Sequence, residues 1–177
     1  MEEYDFKEDL VWYVCYGSNL CYERFMCYLT GEGSPKYGVL PNPSRRCQNP
    51  KPPKKTAVTI IPYPLHFSRN SIIWEGKGVA FIDPSKNGFS IGRAYLVTRE
   101  QYLHVKEREG SWYQNEVRLP DIEGLPAYTF TDSFRHSFVA PGEKYKRVIL
   151  DGLVECGIHP DGAIAYIEAA IKNGTKL

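Results

Sequence analysis

WYVCYGSNLCYERFMCYL, residues 12–29, contains a change of period. Up to Tyr16 the residues are mostly aromatic or β-branched, which is the composition of a strand. From Cys21 onward, Tyr22, Phe25, Met26 and Leu29 recur at i, i+3, i+4 and i+7, one face of a helix. Thr30-Gly31 ends that helix, because glycine adopts the left-handed C′ conformation without strain. Gly17-Ser18-Asn19 lies at the junction. The first amides of a helix have no acceptor within it and sit at the positive end of its dipole. Gly17 has no Cβ, so a ligand can approach the backbone there. The junction is therefore either a plain cap, with Ser18 or Asn19 accepting from the helix, or a cradle for a carboxylate or phosphate.

Working outward, short segments rich in Val, Ile, Tyr and Phe predict strands at residues 57–61, 78–82, 91–97, 113–119 and 127–130. Asn87-Gly88 between two of them predicts a hairpin turn. Thr98 to Gln101 has the form of a capping box, so a helix is expected from Arg99 to Glu109, ending at Gly110. Two more helices are expected at residues 144–156 and 161–172. Gly157 closes the first, Pro160 opens the second and Gly174 closes it. Short strands with few helices between them argue against a doubly wound parallel sheet and for an α+β fold, a mixed sheet or small barrel with packed helices. The chain of 177 residues is expected to form one domain. Residues 31–55 are basic and rich in proline, and they predict a long surface loop with one short extended piece at 37–40.

Composition excludes several classes. Net charge is +1, so no global field favours nucleic acid. No apolar run approaches the length of a membrane span. The acidic start, MEEYDFKEDL, lacks the basic and apolar regions of a secretory signal, and a cytoplasmic location is expected. Cys15, Cys21, Cys27, Cys47 and Cys156 form no C-x-x-C pair, and the four histidines are scattered, so no metal site is expected. There is no G-x-S-x-G motif.

One acid stands out. On a helical wheel through residues 99–109, Tyr102, Leu103 and Val105 define the inward face. Glu109 falls on that face, whereas Glu100 and Glu107 point to solvent. Glu109 also sits in the last turn, where the dipole disfavours negative charge. Burial there raises a carboxyl pKa, which suits proton transfer near neutrality. The alternative is an ordinary ion pair of Glu109 with Arg93 or Lys106.

YGSNL followed by a helix, then WEGKGVAFI, IGRAYLV and EREG in that order, resembles the gamma-glutamylcyclotransferase-like superfamily. The segment YKRVILDGLVECGIHPDGAIAYIEAAI is similar to that family's closing helices. The resemblance implies a small mixed β-barrel flanked by helices. It implies that Tyr13, Val14, Cys15, Tyr16, Gly17, Ser18 and Asn19 hold a glutamyl group, that Glu109 is the acid/base, and that Tyr128 contacts the ligand. Cys15 departs from the alanine often found in the family. The implied reaction releases 5-oxoproline and a free amine from a gamma-glutamyl amide, with no metal and no cofactor. The implied partner is a small-molecule gamma-glutamyl substrate, and a homodimer stays open. Two rivals remain: a non-catalytic module that binds a small ligand on the same fold, and a nucleic-acid accessory protein using Arg45, Arg46, Lys54 and Lys55.

Overall fold

The computed structural model describes residues 9–176. The acidic start, as far as residue 8, lies outside them. The central strand, β1 (Leu10–Cys15), is buried on both faces from Val11 to Cys15, which is why it reads as an unbroken apolar run. It pairs antiparallel with β5 (Ser90–Thr98) and parallel with β7 (Leu125–Thr131). β2 (Lys55–Ile61) and β6 (Asn115–Ile122) are the edges of this five-stranded sheet, whose order is β2-β5-β1-β7-β6. β3 (Leu65–Ser71) and β4 (Lys77–Ile82) form a separate antiparallel pair. Among the described residues, four α-helices pack around the sheets: α1 (Tyr22–Thr30), α2 (Arg99–Glu109), α3 (Glu143–Glu155) and α4 (Pro160–Gly174). The fold is α+β, as expected.

Backbone pairing does not run into a closed ring among the described residues. The seam beside β4 is bridged by side chains. Thr131 Oγ1 donates to the Ile82 carbonyl (2.8 Å) and accepts from the Ile82 amide (3.2 Å). Tyr113 Oη donates to the Ala80 carbonyl (2.9 Å), and Tyr145 Oη accepts from the Ala80 amide (3.0 Å). These bonds satisfy the strand edge that a barrel would pair with another strand.

Several elements differ from the sequence expectations. β3 was not expected, because LHFSRNS carries polar residues and bulges at Arg69, which has φ of 64°. Its inward His66 and Ser68 are polar yet buried, so the apolar alternation of a strand is lost. Asn87-Gly88 does not form a hairpin: β4 and β5 belong to different sheets, and Gly88 instead packs against Pro64. The two-residue hairpin turn is Glu123-Gly124 between β6 and β7, where both residues have positive φ (50° and 76°). β6 begins at Asn115, two residues later than expected, because Tyr113 ends a 3-10 turn over Ser111–Tyr113. Gly174 lies within α4, where a Cβ would meet Phe138 at 2.4 Å.

The long loop is pinned at several points. Proline opens each of two 3-10 turns, Pro35–Tyr37 and Pro43–Arg45. The expected extended piece reduces to one bridge between Ser34 and Val39. Cys47 is buried, and its amide donates to Leu29 O at 2.9 Å. Gln101, the capping-box residue of α2, also donates to Asn49 O and Lys51 O.

α3 presses on the strand–helix junction at its one glycine. A Cβ on Gly152 would lie 2.4 Å from the Leu20 carbonyl carbon and 2.5 Å from the Cys21 nitrogen. These backbone atoms cannot rotate away. Gly152→Ala is therefore expected to cost about 1–3 kcal/mol of stability, measured by chemical denaturation. An unchanged midpoint would show that α3 does not brace the junction.

Candidate active site

The junction after β1 folds more tightly than a plain strand-to-helix step. Ser18–Leu20 form a 3-10 turn, and α1 begins only at Tyr22. No side chain within the junction caps either element, which removes the reading of Ser18 or Asn19 as a cap. The turn is held from outside. Tyr95 Oη of β5 donates to Asn19 O (2.7 Å), and Arg93 Nη1 donates to Leu20 O (2.9 Å). The same Arg93 nitrogen meets Glu155 of α3 at 2.6 Å, and Glu155 accepts the Tyr22 amide at 2.9 Å. Glu155 thus does for α1 what a local cap would otherwise do. Gly17 is needed because a Cβ would lie 2.9 Å from Tyr145 Oη, which the Ala80 amide holds in place.

The side chain of Asn19 is consequently turned inward. Its Nδ2 donates to Glu109 Oε1 (3.2 Å) and to Tyr13 Oη (3.1 Å), while its Oδ1 is buried without a partner. Tyr13 Oη donates to Glu109 Oε1 at 2.5 Å. The wheel placed Glu109 correctly but Leu103 incorrectly. Tyr102 and Val105 are buried, whereas Leu103 is exposed, because Gln101 takes the inward place beside them. The alternative ion pairs of Glu109 do not form, since Arg93 pairs with Glu155 and Lys106 with Glu116.

Burial raises the Glu109 pKa above the usual carboxylate value. The Tyr13 bond, the nearby Arg24 charge, Tyr28 and Asn19 oppose this without reversing it. Burial and the Glu109 charge hold Tyr13 well above its usual value, so its hydroxyl stays a donor. Burial also raises Cys15, which remains a neutral thiol.

Glu109 and the turn border one hollow of about 340 Å³, mouth included. Tyr13, Cys15, Tyr16, Gly17, Ser18 and Asn19 line it together with Glu109. Val14 does not. Strand alternation turns it to the other face, against Gly92 of β5. Tyr128 is also outside the lining; its ring packs against Tyr102 and under the Arg118 guanidinium. β7 instead supplies Thr129 and Phe130. Tyr113 and Tyr145 complete the wall and were missed from sequence, where one fell in an expected strand and the other in an expected helix. A wider groove, about 950 Å³ with its open solvent included, continues outward past Glu109, Tyr113 and Tyr145. Among the described residues, no group of three or more His, Cys, Asp or Glu side chains is placed to hold a metal ion, and no helix is long and apolar enough to cross a membrane.

No protein-family model matches the chain. A curated relative, histone deacetylase 5 of Arabidopsis thaliana, is 27% identical over 208 residues. The match takes in 91% of this chain but only 31% of that protein. Among solved structures, a gamma-glutamyl cyclotransferase superposes with a TM-score of 0.64 at 21% identity, covering 94% of this chain and 100% of its own. A human protein described as uncharacterized superposes with a TM-score of 0.62 at 22% identity, covering 93% and 99%. With the central β1, the clamped turn after it and the helix ending at Glu109, this likeness identifies the architecture: the chain has the gamma-glutamylcyclotransferase-like fold.

Proposed function

We propose that the hollow binds a gamma-glutamyl amide and converts it to 5-oxoproline and a free amine. One observation carries this reading. A carboxylate with a raised pKa, held by Tyr13 and Asn19, opens on the same hollow as the amide-bearing turn at Gly17 and Ser18.

The chemistry requires a folded substrate and one proton carrier. The turn amides and the Ser18 side chain bind oxygen of the glutamyl unit and bend its chain toward ring closure. Glu109 takes a proton from the α-ammonium. The freed amine attacks the γ-carbonyl carbon, forming the ring C–N bond. Glu109 delivers that proton to the leaving nitrogen as the tetrahedral centre collapses and the original C–N bond breaks. It then takes the second proton from the ring nitrogen and passes it to the departing amine, which leaves as an ammonium. The carboxylate ends as it began, so no external acid, base or redox partner enters the balance. Tyr13 steadies Glu109 through the cycle, since its hydroxyl remains protonated. A positioned base contributes on the order of 10²- to 10⁴-fold, and holding the ring-closing geometry adds several kcal/mol.

Glu109→Gln keeps an acceptor for Tyr13 but cannot carry the proton. With gamma-glutamyl substrates and mass-spectrometric detection of 5-oxoproline, kcat is expected to fall at least about a hundredfold while KM changes little. Near-normal turnover would remove Glu109 from the proton-transfer role. Binding by the unaltered chain without any product would assign the hollow to a ligand-sensing module.

The raised pKa also has a stability signature. The folded chain binds the Glu109 proton more tightly than the unfolded chain does. The stability linked to that proton is present below the unfolded carboxyl pKa, about 4.3, and is lost as pH rises through the folded value. Glu109→Gln escapes the loss. In thermal melts it is expected to exceed the unaltered chain near pH 8, with the gap closing toward about pH 4. A gap independent of pH would contradict a desolvated carboxylate.

A further inference from the structure

Among the described residues, the groove outside the hollow holds two arginines against a single acid, Glu109, with which neither forms an ion pair. Arg24 of α1 is only 9% exposed, yet its Nε is buried without a hydrogen-bond partner. Arg108 of α2 lines the same groove, and its Nε is likewise unpartnered. Neither arginine forms an ion pair among the described residues. Both guanidinium carbons lie 5.3 Å from the centre of the Tyr28 ring, which keeps the two cations on one aromatic platform. Burying a charge without a partner is costly, so a fold that keeps two such arginines together is set up to receive an anion. Burial and the neighbouring Arg45 charge, joined by Arg24, depress the Arg108 pKa, as expected of crowded cations.

Position gives the anion its place in the reaction. The groove shares Glu109, Tyr113, Tyr145 and Ser18 with the hollow, so a ligand whose glutamyl end fills the hollow extends its other end past Arg24 and Arg108. Glu109 is the only acid in the groove wall among the described residues. A cationic leaving amine would find two like charges there. A carboxylate would find guanidinium forks that fit its geometry.

Building on the cyclotransferase reading, we propose that Arg24 and Arg108, set around Tyr28, form an anion subsite that selects gamma-glutamyl compounds whose leaving amine carries carboxylates, two being bound more tightly than one. The selectivity lies in the departing half of the substrate and is separate from recognition of the glutamyl half.

The test uses isosteres in which hydrogen replaces the α-ammonium, so that no amine is present to attack the γ-carbonyl and binding is read without turnover. Three are compared by titration calorimetry on the full chain: a neutral butyl end, an end with one carboxylate and an end with two. Kd is expected to fall roughly tenfold with each carboxylate. Arg24→Gln should flatten that ranking by weakening the charged isosteres several-fold more than the neutral one. Arg108, less deeply buried, gives the same test in Arg108→Gln if Arg24→Gln does not fold. Equal affinities across the series, no binding of any isostere, or equal weakening of the neutral and charged isosteres by the substitutions would overturn the subsite. Release of 5-oxoproline from gamma-glutamylaspartate is measured separately on the unaltered chain. A charge-ranked Kd series without 5-oxoproline would remove the cyclotransferase reading and leave the subsite standing. A flat series with 5-oxoproline would do the reverse.

Discussion

The short hydrogen bond from Tyr13 to Glu109 is the contact on which the site depends. It joins the middle of the central strand to the last residue of α2, positions 96 residues apart in sequence. It can form only if the carboxylate is withdrawn from solvent and the turn after β1 delivers Asn19 to the same oxygen. That turn has little intrinsic stability, being a three-residue 3-10 element with no cap of its own. Its shape is imposed by Tyr95, by the Arg93–Glu155 pair and by the close approach of Gly152. Much of the sheet and α3 therefore serves to hold a few backbone atoms in place.

The side-chain seam has the same logic. A closed barrel would leave no opening beside β4. Here Tyr113, Tyr145 and Thr131 satisfy the Ala80 and Ile82 backbone groups, and two of these side chains also line the hollow. The seam thus replaces a strand with removable bulk, and the hollow opens where backbone pairing stops. Past it, the two unpaired arginines give the outer groove a charge opposite to that of the carboxylate within. A substrate spanning both would meet an acid at one end and cations at the other.

How much was legible from the sequence follows from which interactions are local. The period change at Tyr16 to Cys21, the capping box at Thr98 and the left-handed stop at Gly31 are set by neighbouring residues, and each formed as expected. Glu109 was found because helical period places a side chain without knowledge of its partner. Val14 and Tyr128 came from resemblance alone, and strand alternation and ring packing keep both out of the hollow. β3 was hidden because polar His66, Ser68 and Ser71 share its buried positions with Leu65 and Phe67. Tyr113, Tyr145 and the arginines around Tyr28 were hidden because nothing in one sequence separates an aromatic or basic residue that lines a cavity from one that packs beside it. The Asn87-Gly88 hairpin failed for a related reason: turn chemistry is local, but the choice of sheet for the next strand is not.

The most direct measurement is a crystal structure of the chain soaked with 5-oxoproline. The account predicts the ring in the hollow, its nitrogen about 3 Å from a Glu109 oxygen and an oxygen facing the Gly17 to Asn19 backbone. A ring bound elsewhere, or a hollow too tight to admit it while Glu109 stays bonded to Tyr13, would contradict the claim that these two features share one ligand.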